Sequence, residues 1–449
     1  MASQHSNVFT KKDLPILLPD FHTWMAREHP EFVVRKEARF SQDQVETFDE
    51  NDDSQWRTVT SSEFAKLVDA AAFLLGEDHF TGWPLRTAKD PADLTPPKVA
   101  AFFATEMASV VTLEGFIKRG IATLAVSPRN TPDVLITMLV DQDIEYLTYA
   151  PQYDQLAVAI AAKLAQQHPS RKLALAELPT FERLSSYAAQ APFPYDMDTS
   201  TEFVKPVLYV HTSGSSGTMP TICPYSHEIL LKMVLAIRFE GWMGKSLYCG
   251  GPLFHLLGQF CSATYAGTSL QTIITPPLGP PMMGSQLATF LAKSKADSAV
   301  IVPQQIDSLM DVPEGLDVLQ SLDHMTFGGA ALRRSTKEKL DEAKVNYVSG
   351  YGLSEVTAVG MSNVFIRPAA LDGEWLHPLD SVKLEFEPYS EASDDLPALY
   401  TLIARHGYLP CAVTNIEDGY DTGDLVERHP DYPEWFKVYG RKSSFVSVF

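Results

Sequence analysis

At 449 residues, with 45% hydrophobic and 20% charged side chains, 25 Gly and 31 Pro, the chain has a globular composition and the length of one large multi-lobed unit or two to three domains. That composition excludes a collagen-like, coiled-coil or disordered protein. The 36 Lys and Arg against 56 Asp and Glu leave a formal charge of −20, which argues against partnership with nucleic acid or an anionic membrane, because both reward clustered cations.

The first residues, MASQHSNVFTKKDLPILLPDF, lack the basic start and apolar core of a signal peptide. No run reaches the about 18 apolar residues of a membrane helix, so a soluble, cytoplasmic protein is expected. Residues 99–117 (VAAFFATEMASVVTLEGFI) read as a mostly apolar helix ended by Gly120, and IATLAVS at 121–127 as a strand closed by Pro128. A helix over 133–143 leads into IEYLTYA at 144–150. VLYV at 207–210, SAVIVP at 298–303, HMTFGG at 324–329 and NYVSG at 346–350 read as short buried strands, each opening into a loop. Loops at the carboxyl ends of parallel strands are where open α/β sheets bind ligands. From about residue 371 the texture changes to short extended pieces, SVKLEFEP, ALYTLIA and WFKVYGR, which read as a small β subdomain. ITPPLGPPMMG at 274–284 and SEASDD at 390–395 read as loops. Cys223, Cys249, Cys261 and Cys411 make no CxxC pair and no metal-spaced cluster, and are read as reduced thiols in or near a core.

The strongest local signal is HTSGSSGT at 211–218, between the strand VLYV and the helical pattern HEILLKMVLAIRF. Gly214 and Gly217 let backbone N–H groups converge on an anion, and Thr212, Ser213, Ser215 and Ser216 add hydroxyls. Standing alone, the segment reads either as a phosphate cradle or as a flexible Ser/Gly loop. It is not a Walker loop: the Gly-Lys-Ser at 244–246 would need Gly at 239, where Phe239 stands. Three further segments follow in order, FGGAAL at 327–332, YGLSE at 351–355 and YDTGDL at 420–425, and GRKS at 440–443 comes after them.

Together these segments resemble the nucleotide-binding motifs of the adenylate-forming superfamily, which includes acyl-CoA synthetases, luciferases and the adenylation domains of nonribosomal peptide synthetases. VSPRN at 126–130 and PLFHLLG at 252–258 are similar to the fungal nonribosomal-synthetase-like carboxylic acid reductases. The resemblance covers roughly residues 20–445. It implies an α/β fold: two mixed or parallel sheets flanked by helices, plus a small distorted β-barrel subdomain. The expected divisions are an adenylate-forming core over 1–370, the β subdomain over 371–440, and a hinge over 441–449 leading to a C-terminal domain that this chain lacks. The implied chemistry is attack of a carboxylate oxygen on the α-phosphorus of Mg-ATP, release of pyrophosphate, and transfer of the acyl group to a thiol of CoA or a carrier protein.

The resemblance also assigns residues. Tyr351 offers a flat face for adenine, with Gly352 and Ser354 beside it, and Gly329 and Ala330 line the same nucleotide. Glu355 would hold Mg²⁺, a hard cation that takes oxygen ligands shared with phosphates, together with Thr212. Thr212, Ser213, Glu355 and His255 are the expected catalytic residues, with His255 gating the tunnel for the acid. Gly214, Ser215, Ser216 and Gly217 would cradle phosphate. Asp424 has two acceptor oxygens suited to both ribose hydroxyls, and Arg441 would place a permanent cation near ribose or phosphate oxygens.

Residues 241–296 contain no Asp or Glu, a gap of 56 residues in a chain with 56 acids. An α-amino acid would bring an ammonium that is too costly to bury unpaired. A non-amino carboxylic acid, aryl or aliphatic, is therefore expected, with Phe254, Phe260 and Tyr265 suited to its apolar body. The sequence departs from the family where a lysine usually ends the phosphate loop: Pro220 or Thr221 stands there. Ser444 replaces the usual hinge aspartate, and the chain stops at Phe449 without the bridging lysine of the small C-terminal domain. Two readings stay open: an adenylate-forming ligase of secondary metabolism, and a non-catalytic nucleotide- or acyl-binding descendant.

Overall fold

The structure is a computed structural model that describes residues 8–80, 85–91, 93–187, 191–212, 219–238, 240–362, 366–380, 382–393 and 396–444. The chain divides into two units, one of Met1–Gln42, Asp49–Lys245 and Cys249–Gly279, the other of Asp43–Phe48, Ser246–Tyr248 and Pro280–Phe449.

In the first unit a six-stranded sheet runs in the order Ala174–Glu177, Tyr146–Tyr149, Lys98–Phe102, Ala122–Ala125, Pro206–His211, Ile222–Ser226. Its pairings are parallel except the last, which is antiparallel. Its central strands are apolar on both faces because helices cover them. Phe102, Leu124 and Leu147 pack with Leu135 and Leu139 of the helix Pro132–Asp141 and with Ile160 and Leu164 of the helix Asp154–Gln167. Each such fully buried side chain contributes about 1.5–3 kcal/mol. A second group of strands in this unit sets Val33–Ala38 between Thr272–Thr275, parallel to it, and Trp56–Thr60, antiparallel to it.

The helix expected over 99–117 is two elements. Lys98–Phe102 is a central strand, with Ala100 opposite both Leu124 and Leu147, and the helix begins only at Met107. Every residue of that helix, Met107–Lys118, is buried. A run that is apolar on all sides has no period by which a strand can be told from a buried helix. The break is at Glu106, whose backbone is extended at φ −145° and ψ 163°.

A second difference lies after VLYV. The segment 211–218 does not lead directly to the helix: Ile222–Ser226 returns antiparallel to Pro206–His211, pairing His211 with Ile222 and Tyr209 with Pro224. Pro224 has no N–H to give, and it is tolerated because this strand is the edge of the sheet. The helix His227–Ala236 then starts from Ser226, whose hydroxyl accepts the Ile229 N–H at 3.2 Å.

In the second unit the strands Ser298–Val300, His324–Gly328 and Tyr347–Leu353 pair in parallel, followed antiparallel by Thr357–Met361 and His377–Pro378. The strand expected at 298–303 stops at Val300, since Pro303 opens the helix Pro303–Met310; the one expected at 346–350 continues to Leu353. Of the expected β subdomain, the described residues form a four-stranded antiparallel sheet in the order Lys383–Ser390, Leu399–Arg405, Gly419–Arg428, Phe436–Arg441. Leu402, Val426 and Phe436 of this sheet pack with Val356, Val359 and Leu376.

Candidate functional site

In the second unit the site residues come from one strand with its tight turn and from the last two strands of the antiparallel sheet. Tyr347–Leu353 turns through residues 354–356 into Thr357–Met361, with Gly352 opposite Ala358. A Cβ on Gly352 would sit 2.4 Å from the Thr357 carbonyl oxygen, so only glycine lets the two strands approach this closely. The approach carries Tyr351 toward the sheet strand Gly419–Arg428. Its hydroxyl donates to Asp424 Oδ2 at 2.5 Å. The next strand pairs Arg441 opposite Asp424, and Arg441 Nε donates to Asp424 Oδ1 at 3.1 Å. Arg441 Nη1 also donates to the Thr422 carbonyl at 2.7 Å, which fixes the guanidinium plane.

Asp424 is 5% exposed. Burial pushes its carboxyl above the ordinary range; the Tyr351 hydroxyl and the Arg441 charge oppose that push, and the neighbouring Glu355 adds to it. Burial first, and then the Asp424 charge, push the Tyr351 phenol well up, so it remains a donor at neutral pH. Glu355, buried at the turn, accepts from the Tyr420 hydroxyl at 3.1 Å through Oε1. Its backbone carbonyl accepts the Val413 N–H at 3.1 Å. Tyr351, Asp424 and Arg441 thus share one hydrogen-bonded chain. Glu355 stands near enough to be felt by Asp424 but is tied to Tyr420. Ser354 lies in the same turn, partly exposed; Gly329 (φ +84°) and Ala330 are exposed just after His324–Gly328.

In the first unit Thr212 N–H donates to the Thr221 carbonyl at 2.9 Å, and Thr221 N–H donates to Thr212 Oγ1 at 2.9 Å. Thr221 is therefore the residue opposite Thr212 at the base of the antiparallel pair. Ser213, Gly214, Ser215, Ser216 and Gly217 lie outside the described residues. His255 precedes the 3-10 helix Leu256–Cys261, and burial, followed by the neighbouring His211 imidazole, lowers its pKa. Phe260 and Tyr265 pack with ring centroids 4.9 Å apart.

His211 is a residue that the sequence reading passed over. The Ser127 N–H donates to its Nε2 at 3.0 Å, so the ring proton sits on Nδ1 and is donated to the Thr212 carbonyl at 2.9 Å. Burial lowers its pKa and keeps this neutral form. Its ring stacks parallel on Phe254 with centroids 6.3 Å apart. One imidazole thereby ties the VSPRN segment and the PLFHLLG segment to the start of the phosphate-loop motif. The signal was present in the first letter of HTSGSSGT, but its partner Ser127 is 84 residues upstream. Tyr420, the first letter of YDTGDL, likewise gains its role from a distant partner, Glu355.

Among the described residues no helix is long and apolar enough to cross a membrane, and no group of three or more His, Cys, Asp or Glu could hold a metal ion by itself.

The fold is shared with solved structures. ATP-bound MatB from Rhodopseudomonas palustris superposes with a TM-score of 0.71 at 15% identity, over 95% of this chain and 80% of that one. An anthranilate CoA ligase in complex with anthranoyl-AMP gives 0.72 at 13% identity, over 98% of this chain and 80% of that one. Residues 93–381 match the family described as AMP-binding enzyme, and the chain belongs to that family. Relatives include an adenylate-forming reductase of Heterobasidion annosum, 23% identical over 87% of this chain and 36% of the relative. A non-canonical non-ribosomal peptide synthetase of Acremonium egyptiacum is 25% identical over 87% of this chain and 34% of the relative. The chain spans about a third of the length of these curated relatives. The expected membership of the adenylate-forming superfamily, with its fungal synthetase-like branch, is borne out.

Proposed function

We propose that this chain adenylates a carboxylic acid without an α-amine, aryl or aliphatic, with Mg-ATP, for transfer to a thiol of CoA or a carrier protein in secondary metabolism. The observation that carries this reading is the buried Asp424 carboxylate held between Tyr351 and Arg441. Each of its oxygens takes one protein donor and keeps lone pairs for a second, as two ribose hydroxyls require. Arg441, half exposed beside it, supplies a cation for ribose or phosphate oxygens. Tyr351, with Gly352 and Ser354 beside it in sequence and Gly329 and Ala330 just after the neighbouring strand His324–Gly328, supports the adenine reading.

Glu355 suits magnesium. It is a buried carboxylate close enough to Asp424 to raise that group's pKa, and a divalent cation would relieve the repulsion. With one carboxylate rather than a protein cage, the ion would draw its remaining ligands from substrate phosphates and water. Thr212 Oγ1 accepts one N–H and retains a lone pair and a proton for a phosphate. Both reactants are anions, so rate depends on positioning and charge neutralisation. Positions 220 and 221 supply no cation, which favours slow adenylation and leaves the non-catalytic reading as the competitor.

ATP–pyrophosphate exchange across benzoic, cinnamic and medium-chain acids separates them. The expected outcome is acid-dependent exchange near background by the parent and only a modest rise in Thr221→Lys, because groups that act as a unit are non-additive. Brisk exchange by the unaltered chain would overturn the charge argument. No acid-dependent exchange by either protein, with nucleotide still bound, would establish the non-catalytic reading.

A further inference from the structure

Cys249 ends the strand Ser246–Cys249, and Cys261 ends the 3-10 helix Leu256–Cys261. Both thiols are buried, at 0% and 1% exposure, and their sulfurs lie 3.0 Å apart. A disulfide needs about 2.05 Å, so an approach of roughly 1 Å separates the dithiol from the bond. The segment between them is folded back tightly: a Cβ on Gly258 would stand 2.2 Å from the Pro252 carbonyl oxygen, so only glycine allows the closure that brings the two cysteines together. The surroundings also lower the cost of a thiolate. Arg35, 2% exposed, donates from Nη1 to the Cys261 carbonyl at 3.2 Å, and its Nη2 lies 3.9 Å from Glu37 Oε1. The hydrogen bond with Cys249 holds the Cys261 thiol below the ordinary cysteine range, and the Arg35 charge adds to that; burial pushes Cys249 well up.

We propose that Cys249 and Cys261 are a peroxide-oxidisable pair that closes into an intrachain disulfide and staples both ends of the segment carrying Phe254 and His255. The Cys261 thiolate attacks one oxygen of hydrogen peroxide; the O–O bond breaks, an S–O bond forms, and the departing hydroxide takes the proton released by the thiol to leave as water. The Cys249 sulfur then attacks the sulfenic sulfur, the S–O bond breaks, and the second water leaves with the Cys249 proton. Two thiols and one peroxide give one disulfide and two waters.

The test is peptide mapping of the full chain, prepared reduced, treated with graded hydrogen peroxide, and alkylated under denaturing conditions without reductant. The expected result is one cross-linked peptide joining Cys249 to Cys261, lighter by two hydrogens and reversed by dithiothreitol, while Cys223 and Cys411 remain alkylated. In Cys249→Ala the cross-link is absent and Cys261 advances to sulfinic acid; Cys261→Ser serves if that variant does not fold. Recovery of both Cys249 and Cys261 as alkylated thiols at doses that oxidise Cys223, Cys411 or the methionines would overturn the proposal. So would a Cys261 sulfinic acid beside a free Cys249 in the parent.

Discussion

Asp424 is pulled two ways. Its burial favours the neutral acid, and the Tyr351 hydroxyl and Arg441 guanidinium favour the carboxylate. The folded-state pKa ends above the ordinary value, so the stability tied to this group is present at acid pH and is lost as pH rises through the raised pKa. Tyr351→Phe removes one of the two opposing donors and enlarges that loss. The variant is expected to be less stable than the parent by about 1–3 kcal/mol at pH 7, with a smaller deficit near pH 3, measured by urea denaturation at both. An equal deficit at the two pH values would mean that the Tyr351 contact is packing and not a charged hydrogen bond. At this scale the sequence was legible where a short motif carries its own chemistry: Tyr351 and Glu355 fall on one strand and the turn after it, Asp424 and Arg441 on the last two strands of the antiparallel sheet. His211 was illegible because its role is defined by a backbone N–H at Ser127 and a ring at Phe254, neither adjacent in sequence.

The helix Met107–Lys118 has no side-chain cap of its own at Glu106. Its first N–H, at Met107, instead donates to Glu37 Oε1 at 2.6 Å, from the strand Val33–Ala38, and Glu37 Oε2 accepts from Arg57 Nη1 at 2.9 Å. A carboxylate at this helix end is favoured by the exposed N–H groups and the helix dipole. The arrangement leaves Glu106 as a second acid at the same end. Burial, and then the Glu37 charge, push its pKa up to about 7 from 4.5. Ionising Glu106 therefore costs the folded state, and stability falls as pH rises from about 4.5 to about 7. Glu106→Gln is expected to gain about 2–3 kcal/mol over the parent above pH 7 and nothing at pH 4, read from thermal melts across that range. A pH-independent difference would show that Glu106 titrates normally. The same stretch marks where elements were hard to read. Val99–Phe102 and Met107–Lys118 are both buried on every side, so apolar content alone could not separate strand from helix. The edge strand Ile222–Ser226 was hidden by Pro224, which ordinarily argues against a strand and is accommodated only at an edge. Strands bounded by Gly or Pro, such as His324–Gly328 and Leu399–Arg405, were read within a residue or two of their ends.

Across the whole chain, the order of motifs was more informative than any one of them: a Ser/Gly loop, FGGAAL, YGLSE, YDTGDL and GRKS succeed one another over more than half its length, and the AMP-binding match over 93–381 takes in the first three of the five. The proposal about the substrate rests on a lack: 56 residues without an acid, running from Gly241 to Ala296 and carrying Phe254, His255, Phe260 and Tyr265. A buried ammonium without a carboxylate partner is strongly disfavoured, so an aminoacyl group should be refused where a benzoyl group is accepted. The most direct measurement is calorimetric titration of the chain with two hydrolysis-resistant adenylate analogues, benzoyl and alanyl sulfamates of adenosine, repeated with Asp424→Ala. The account predicts that the benzoyl compound binds, that the alanyl compound binds far more weakly, and that Asp424→Ala weakens the benzoyl compound by about 1.5–3 kcal/mol, roughly ten- to a hundredfold. Equal affinity in parent and variant, or tighter binding of the alanyl compound, would contradict it.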